Sequence, residues 1–269
     1  MINQMWQWLT APEQWTGSRG IPTRLLEHLG FSALSLVLAA AIAIPLGLWS
    51  GHTGRGRAVV TGANAARAVP SLGLLFAVAM FVGPRISSNL AFVIPSVVVL
   101  VLLAIPPLLS GADSGVRSVD PAVRDAAYGM GMTGPEVLRQ VELPCALPLL
   151  LSGVRAATLQ VIATATIAAA VSLGGLGRYL IDGLAVNDYA QMAGGALLVA
   201  ALALGVDGLL ALTQGLLVSP GLTSRPSRPW RRLPSHSRHG KFPRSGGVAG
   251  GRGRVLAPAA LTTHGRDLT

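Results

Sequence analysis

Residues 124–144 read RDAAYGMGMTGPEVLRQVELP, a polar segment broken by glycine and proline between two long apolar stretches. Its punctuation can be parsed. Just upstream, Asp120 and Pro121 form an N-cap followed by proline at the first helical position, where a missing N–H costs nothing. The pattern predicts a helix from 121 to about 130, with Gly131 suited to the left-handed residue that closes it. Thr133 to Glu136, TGPE, has the spacing of a capping box, so a second short helix is expected there. Pro144 and Pro148 punctuate the way into the next apolar stretch. Two short helices at an angle are therefore expected within 110–146, and connections of this length without a job are uncommon.

Outward from this segment the chain is mostly apolar. Hydrophobic residues make up 51% and charged residues only 12%, with a mean hydropathy of +0.55. A soluble domain carries roughly 25% charged residues. Residues 29–49, 58–82, 90–109, 147–173 and 192–218 form five apolar blocks, each near the roughly 20 residues that a helix needs to cross a bilayer. The expected fold class is an all-α membrane protein of about five transmembrane helices. A soluble protein with buried core helices is the alternative, and it fails because the connectors hold too few polar residues to coat a surface. Residues 1–24 lack a basic start, an apolar run and a small-residue cleavage site. With Trp6, Trp8, Leu9 and Trp15, residues 1–27 read instead as an interfacial segment, since indoles favour the headgroup region. The transmembrane domain is then 28–219, with the polar loop at 110–146 inside it.

The net charge of +10 belongs to the end of the chain. Ten of the 21 basic residues lie from Arg225 onward, against Asp267 alone among the 11 acids. Residues 220–269 mix Arg, Pro, Gly, Ser and His without hydrophobic periodicity, a composition that predicts disorder. Such a tail could be a solvated extension, or it could grip anionic lipid headgroups or nucleic acid. Cys145 is alone, which rules out an intrachain disulfide or a cysteine metal cluster, and the five histidines show no ligand spacing. If the connectors after the first and third blocks share one side, they contribute Arg55, Arg57, Arg117, Arg124 and Arg139; the other side has Arg19, Arg24, Arg85 and Arg178. The tail supplies the asymmetry, so the N-terminus is expected outside and the C-terminus in the cytoplasm.

In the first loop helix Ala122, Ala126 and Gly129 recur at helical spacing, with Ala127 and Gly131 beside them. Small residues let another surface come close, as when a helix lies in a groove. A mere connector built from common residues is the bland alternative. Asp125-Ala126-Ala127, Gly131 and Val141-Glu142-Leu143-Pro144 resemble the EAA signature of bacterial ABC-importer permeases: EAA, three residues, Gly, nine residues, Ile, any residue, Leu-Pro. The spacing matches at each step, with Asp125 for Glu and Val141 for Ile. VPSLGLL (69–75), VDPAVRDAAYGMGMT (119–133), VELPCALPLLLSGVRAAT (141–158) and GGLGRYL (174–180) look like the osmoprotectant permeases, which import glycine betaine, choline, carnitine or proline. The resemblance spans 28–214. It implies that the loop is a cytoplasmic coupling helix in a cleft of a separate ATPase subunit, with Asp125, Ala126, Ala127, Gly131, Val141, Leu143 and Pro144 forming or supporting the contact. It further implies a second permease subunit and an extracytoplasmic substrate-binding protein. The Gly134-Pro135 pair departs from the pattern and bears on the shape of the second helix.

A phosphate-binding P-loop requires a lysine, and Lys241, the only lysine, lies in the tail outside any such motif. ATP would be used by the partner, with no cofactor in this chain. Arg67, Pro70 and Ser71 in the second block are pathway candidates. Proline kinks a span, and freed carbonyls are tolerated only against protein or a water-filled cavity. The alternative is a kinked packing helix with a snorkelling arginine, and an arginine facing a cationic substrate would be odd. Asp207, deep in the fifth block, is a further candidate that could pair with Arg67 or Arg155. Arg155 reads as snorkelling or as pairing with the coupling loop. Few aromatics lie in the spans and they do not cluster into a cage for a quaternary ammonium, so specificity is expected to reside in the binding protein. Three other readings stand beside this one: a permease for an amino acid such as methionine, a membrane scaffold with a basic tail, and an intramembrane enzyme. The last lacks a convergent nucleophile and base, with neither His28 nor His52 expected inside a span.

Overall fold

The computed structural model describes residues 2–86, 90–171 and 173–218, and among these there is no strand. The expected 220–269 tail lies outside the described residues. The helices are α1 (Ile2–Thr10), α2 (Ile21–Thr53), α3 (Arg57–Ala65), α4 (Ser71–Val82), α5 (Leu90–Arg117), α6 (Pro121–Gly129), α7 (Gly134–Val137), α8 (Leu143–Ala168), α9 (Gly177–Val186) and α10 (Tyr189–Leu217). Four segments are long and apolar enough to cross a membrane, and a bent pair of helices makes a fifth. The chain is a multi-pass membrane protein.

On α2 small residues lie inside and large ones outside. In α2 the buried stripe is Ser32, Ser35, Ala39, Ala43, Gly47, Ser50 and Gly51, recurring every three or four residues. Its large residues Leu34, Val37, Ile42, Leu46 and Trp49 are exposed. Lipid tails are as apolar as leucine, so spans gain by close backbone approach rather than by hiding large side chains. A Cβ on Gly47 would sit 2.7 Å from Leu109 O, and one on Gly51 would sit 2.9 Å from Asp113 O, both in α5. On the other side of α5, Gly111 meets Gly153 of α8 backbone to backbone: a Cβ on Gly153 would lie 2.8 Å from Pro107 O. α5 is thus clamped between α2 and α8 and is the most enclosed of the spans.

Several expectations need correcting. The first span begins at Ile21, so the boundary drawn between 27 and 28 falls inside α2. His28, one residue before the first apolar block and so not expected inside a span, is buried within α2, its Nε2 3.1 Å from Ile162 O. α1, in the segment read as interfacial, packs on α10. Its Trp8 meets Tyr179 edge to face at 5.1 Å and seats over Gly194. The second block is not one continuous kinked helix but a bent pair. Val69 and Pro70 are extended, and the helices on either side of them turn by 96°. A residue before proline avoids the helical region, and proline readily starts the helix that follows, which explains the break.

The loop begins as expected. Asp120 caps α6 by accepting the Ala122 N–H at 2.9 Å, and Gly131 follows at φ +87°. Thr133 and Glu136 form the capping box, with Glu136 Oε2 accepting the Thr133 N–H at 2.7 Å. The second helix is not short, however. α7 runs through one wide turn, Leu138–Glu142, straight into α8. Pro144 has no N–H for the carbonyl one turn back; in the widened turn the Leu143 N–H reaches Leu138 O instead. The loop therefore comprises one free-standing helix, α6, and the protruding start of a span.

Candidate functional site

α6 turns one residue inward. Ala127 is 2% exposed, whereas Asp125 and Ala126 face outward. The DAA triplet is therefore split between a packing face and an open face. Val123, Tyr128 and Met130 also lie open, the last 74% exposed. Val123 and Met130 are seven residues apart and share a stripe with Ala126 and Ala127, a spacing legible beforehand but passed over for the small residues. Gly131 is open, with nothing near where its Cβ would be, so its requirement is the positive φ and not a close contact. Val141 and Leu143 are half-buried and Pro144 is exposed.

Beneath α6 lies a charge cluster that sequence reasoning did not single out. Glu142, 1% exposed, has its Oε1 2.7 Å from Arg124 Nε and its Oε2 2.7 Å from His52 Nδ1. Arg124 also donates to Val116 O. Alongside, Asp113 accepts from Ser50 Oγ at 2.7 Å and from Arg117 Nε at 2.8 Å. α2 contributes Ser50 and His52, α5 Asp113 and Arg117, α6 Arg124, and the start of α8 Glu142. α6 is thus tied to the ends of three spans at once. The one available signal was Glu142 itself, a lone acid within an otherwise apolar VELP.

A second ion pair joins α8 to α10. Arg155 grips Asp207 with two donors, Nε to Oδ1 at 2.9 Å and Nη2 to Oδ2 at 2.8 Å. Gln214 of α10 donates to Pro148 O at 3.2 Å. The choice left open for Asp207 falls on Arg155, and the suggested pairing of Arg155 with the loop is replaced by this one. Asp207 is accordingly separate from the other pathway candidates.

Those candidates do meet. Arg67, Pro70 and Ser71 line a cleft of about 390 Å³ with Leu103 and Pro107 of α5 and Ala156 and Gln160 of α8. At the end of α2 opposite the loop, Glu27 pairs with Arg24 at 2.9 Å and accepts the Gly175 N–H at 2.8 Å. Gly175 sits at φ +87° against His28, which explains a glycine in GGLGRYL. The Tyr179 hydroxyl donates to Arg19 O at 2.7 Å, and burial pushes its pKa above the ordinary phenol value.

This arrangement is that of a polytopic membrane protein with one helical loop tied to several spans and a cleft between broken and continuous helices. The chain belongs to the family described as binding-protein-dependent transport system inner membrane component, whose model matches residues 43–222. It is 34% identical over 197 residues to the glycine betaine/carnitine/choline transport system permease protein OpuCB of Bacillus subtilis, covering 73% of this chain and 88% of that one. It is 33% identical over 200 residues to the osmoprotectant import permease protein OsmW of Salmonella typhimurium, covering 73% and 91%. In fold it matches a chain of the MetNI methionine ABC transporter in an inward-facing conformation, with a TM-score of 0.68 at 20% identity, covering 78% of this chain and all of that one. It is a multi-pass component of the inner membrane.

Proposed function

We propose that this chain is the transmembrane permease subunit of a bacterial ABC importer that moves osmoprotectants, namely glycine betaine, choline, carnitine or proline, into the cell. The substrate class rests on the relatives, a glycine betaine/carnitine/choline permease and an osmoprotectant permease, each matched over most of its length. The mechanism rests on one observation: the outward face of α6 is unfilled, while Arg124 ties the helix to Glu142 at the start of α8, through Glu142 to His52 of α2, and directly to Val116 O of α5. Asp125 and Ala126, flanked by Val123, Tyr128 and Met130, form the surface that docks into a separate ATPase subunit. Ala127, Gly131, Val141, Leu143 and Pro144 support its shape. ATP is hydrolysed by that partner. Closure of the ATPases draws α6 with it, and the charge cluster passes the motion to the span ends, shifting the balance between inward- and outward-open states. Such a shift requires contacts of different strength in the two states.

In this reading the loop is cytoplasmic. The N-terminus lies outside and the C-terminus in the cytoplasm, and the end opposite the loop receives the binding protein. A second permease subunit, identical or related, and surrounding lipid cover the exposed apolar faces. Ala126→Glu tests the docking. Ala126 is exposed, so the variant is expected to insert and fold normally yet lose co-purification of the ATPase, because a charged chain cannot enter a close helix-in-groove contact. Normal co-purification would count against the assignment. Gly131→Glu is the poorer probe, since strain at positive φ would confuse the result. In the reconstituted complex, ATP hydrolysis is expected to be stimulated by binding protein loaded with glycine betaine and not by methionine.

A further inference from the structure

Arg67, the one arginine lining the cleft against α5 and α8, is without a partner. It makes no hydrogen bond or ion pair among the described residues, whereas Arg24, Arg117, Arg124, Arg155 and Arg178 are each paired with an acid. Its position makes this costly. The cleft it lines touches α5 at Leu103 and Pro107 and α8 at Ala156 and Gln160, the middle of both spans. An arginine at such depth cannot face hydrocarbon unpaired, and it marks a protein-lined or water-filled path. Non-helical backbone at Val69 and Pro70 obeys the same restriction.

The counter-anion must come from outside this chain. Of the acids carried by α2, α5, α8 and α10 or the turn into α8, Glu27 is engaged by Arg24, Asp113 by Arg117, Glu142 by Arg124 and Asp207 by Arg155. Among the described residues, a second copy of the chain therefore has no spare carboxylate on these spans to offer. The remaining lining is also informative. Ser71 and Gln160 add neutral hydrogen-bonding groups, while Val69, Pro70, Leu103, Pro107 and Ala156 are apolar. No acid and no aromatic ring is present to hold an ammonium by charge or by cation–π attraction. At about 390 Å³ the cleft is within the range of small-molecule sites.

We propose that this cleft is a transit site for the carboxylate of a zwitterionic solute, with Arg67 as the specificity-determining residue, Ser71 and Gln160 as auxiliary hydrogen-bonding partners, and the methylated end lying against the apolar wall. The proposal rests on the osmoprotectant reading and sharpens it. Guanidinium and carboxylate match as a two-donor fork, so glycine betaine and carnitine are favoured. Choline, which carries the same quaternary ammonium but a hydroxyl in place of the carboxylate, gains nothing from Arg67 and is repelled by it. Discrimination thus arises inside the permease, separately from whatever the binding protein selects.

The test is uptake of labelled glycine betaine and choline by the full complex, permease with its ATPase and binding protein, in proteoliposomes. Each solute is compared with its own wild-type rate so that binding-protein preference cancels. Arg67→Gln is expected to lower glycine betaine uptake by about tenfold or more while choline stays within about twofold of wild type or rises. Arg67→Lys, which keeps the charge but loses the fork, is expected to retain part of the betaine rate. Betaine uptake unchanged, or both solutes falling together in an assembled complex, overturns the proposal. Should Arg67→Gln fail to assemble, Arg67→Lys decides: the betaine-to-choline ratio must drop, and an unchanged ratio overturns it. A wild-type complex that moves choline but no betaine overturns the carboxylate site and leaves osmoprotectant import standing. One that moves neither overturns both.

Discussion

Two polar regions lie within the helical bundle, and they are built in opposite ways. Under α6 every charge has a counterpart: Glu142 is satisfied by Arg124 and His52, Asp113 by Arg117 and Ser50. In the cleft at mid-span, Arg67 stands without a counterpart beside Ser71 and Gln160. A buried charge that is fully paired holds elements together. Arg67 instead lies exposed on an open cleft with no counterpart, where it can meet something that arrives. The first region transmits motion and the second meets the solute.

The comparison breaks most visibly at Glu142. Glu142→Ala strands Arg124 and His52 with no anion and is expected to destabilise the complex by about 3 kcal/mol or more. The measurement is the thermal unfolding midpoint of the purified complex in detergent, with loss of coupling between ATP hydrolysis and uptake. An unshifted midpoint would show that the cluster is not a structural knot.

A smaller effect is expected from Gly153→Val. Its Cβ would collide with Pro107 O and the Gly111 backbone, so α8 must move off α5 at a cost of about 1–3 kcal/mol. Because Pro107 and Ala156 both line the cleft, betaine uptake is expected to fall even where the complex still assembles; uptake equal to wild type would separate the clamp from the path.

The smallest effect on stability belongs to Arg67→Gln, which removes a charge that has no partner. The unfolding midpoint is expected to change by no more than about 0.5 kcal/mol equivalent, or to rise, despite the change in transport. A large destabilisation would mean that Arg67 is part of the packing after all.

What could be read in advance was whatever depends on near neighbours in the chain. Span length follows from runs of apolar residues, and the start of α6 from Asp120-Pro121. The capping box follows from Thr133 and Glu136, and the closing turn from Gly131. Each is decided within about one helical turn, so one-dimensional order suffices. Nothing local shows that Trp8 finds Tyr179 across the fold. The second loop helix misled because Pro144 looks like a stop, whereas a widened turn lets the helix continue past it.

The amino-acid order by itself determined that this is a multi-pass helical protein with a capped, small-sided loop, since bilayer thickness and backbone capping act on contiguous residues. Only the tertiary structure decided that Asp207 belongs to Arg155, that Glu142 is the knot under the loop, and that Arg67 is left alone in a mid-span cleft. The reason is physical. Charge partners are chosen by which helix faces meet, and those faces are set by glycine contacts between residues as far apart as Gly111 and Gly153.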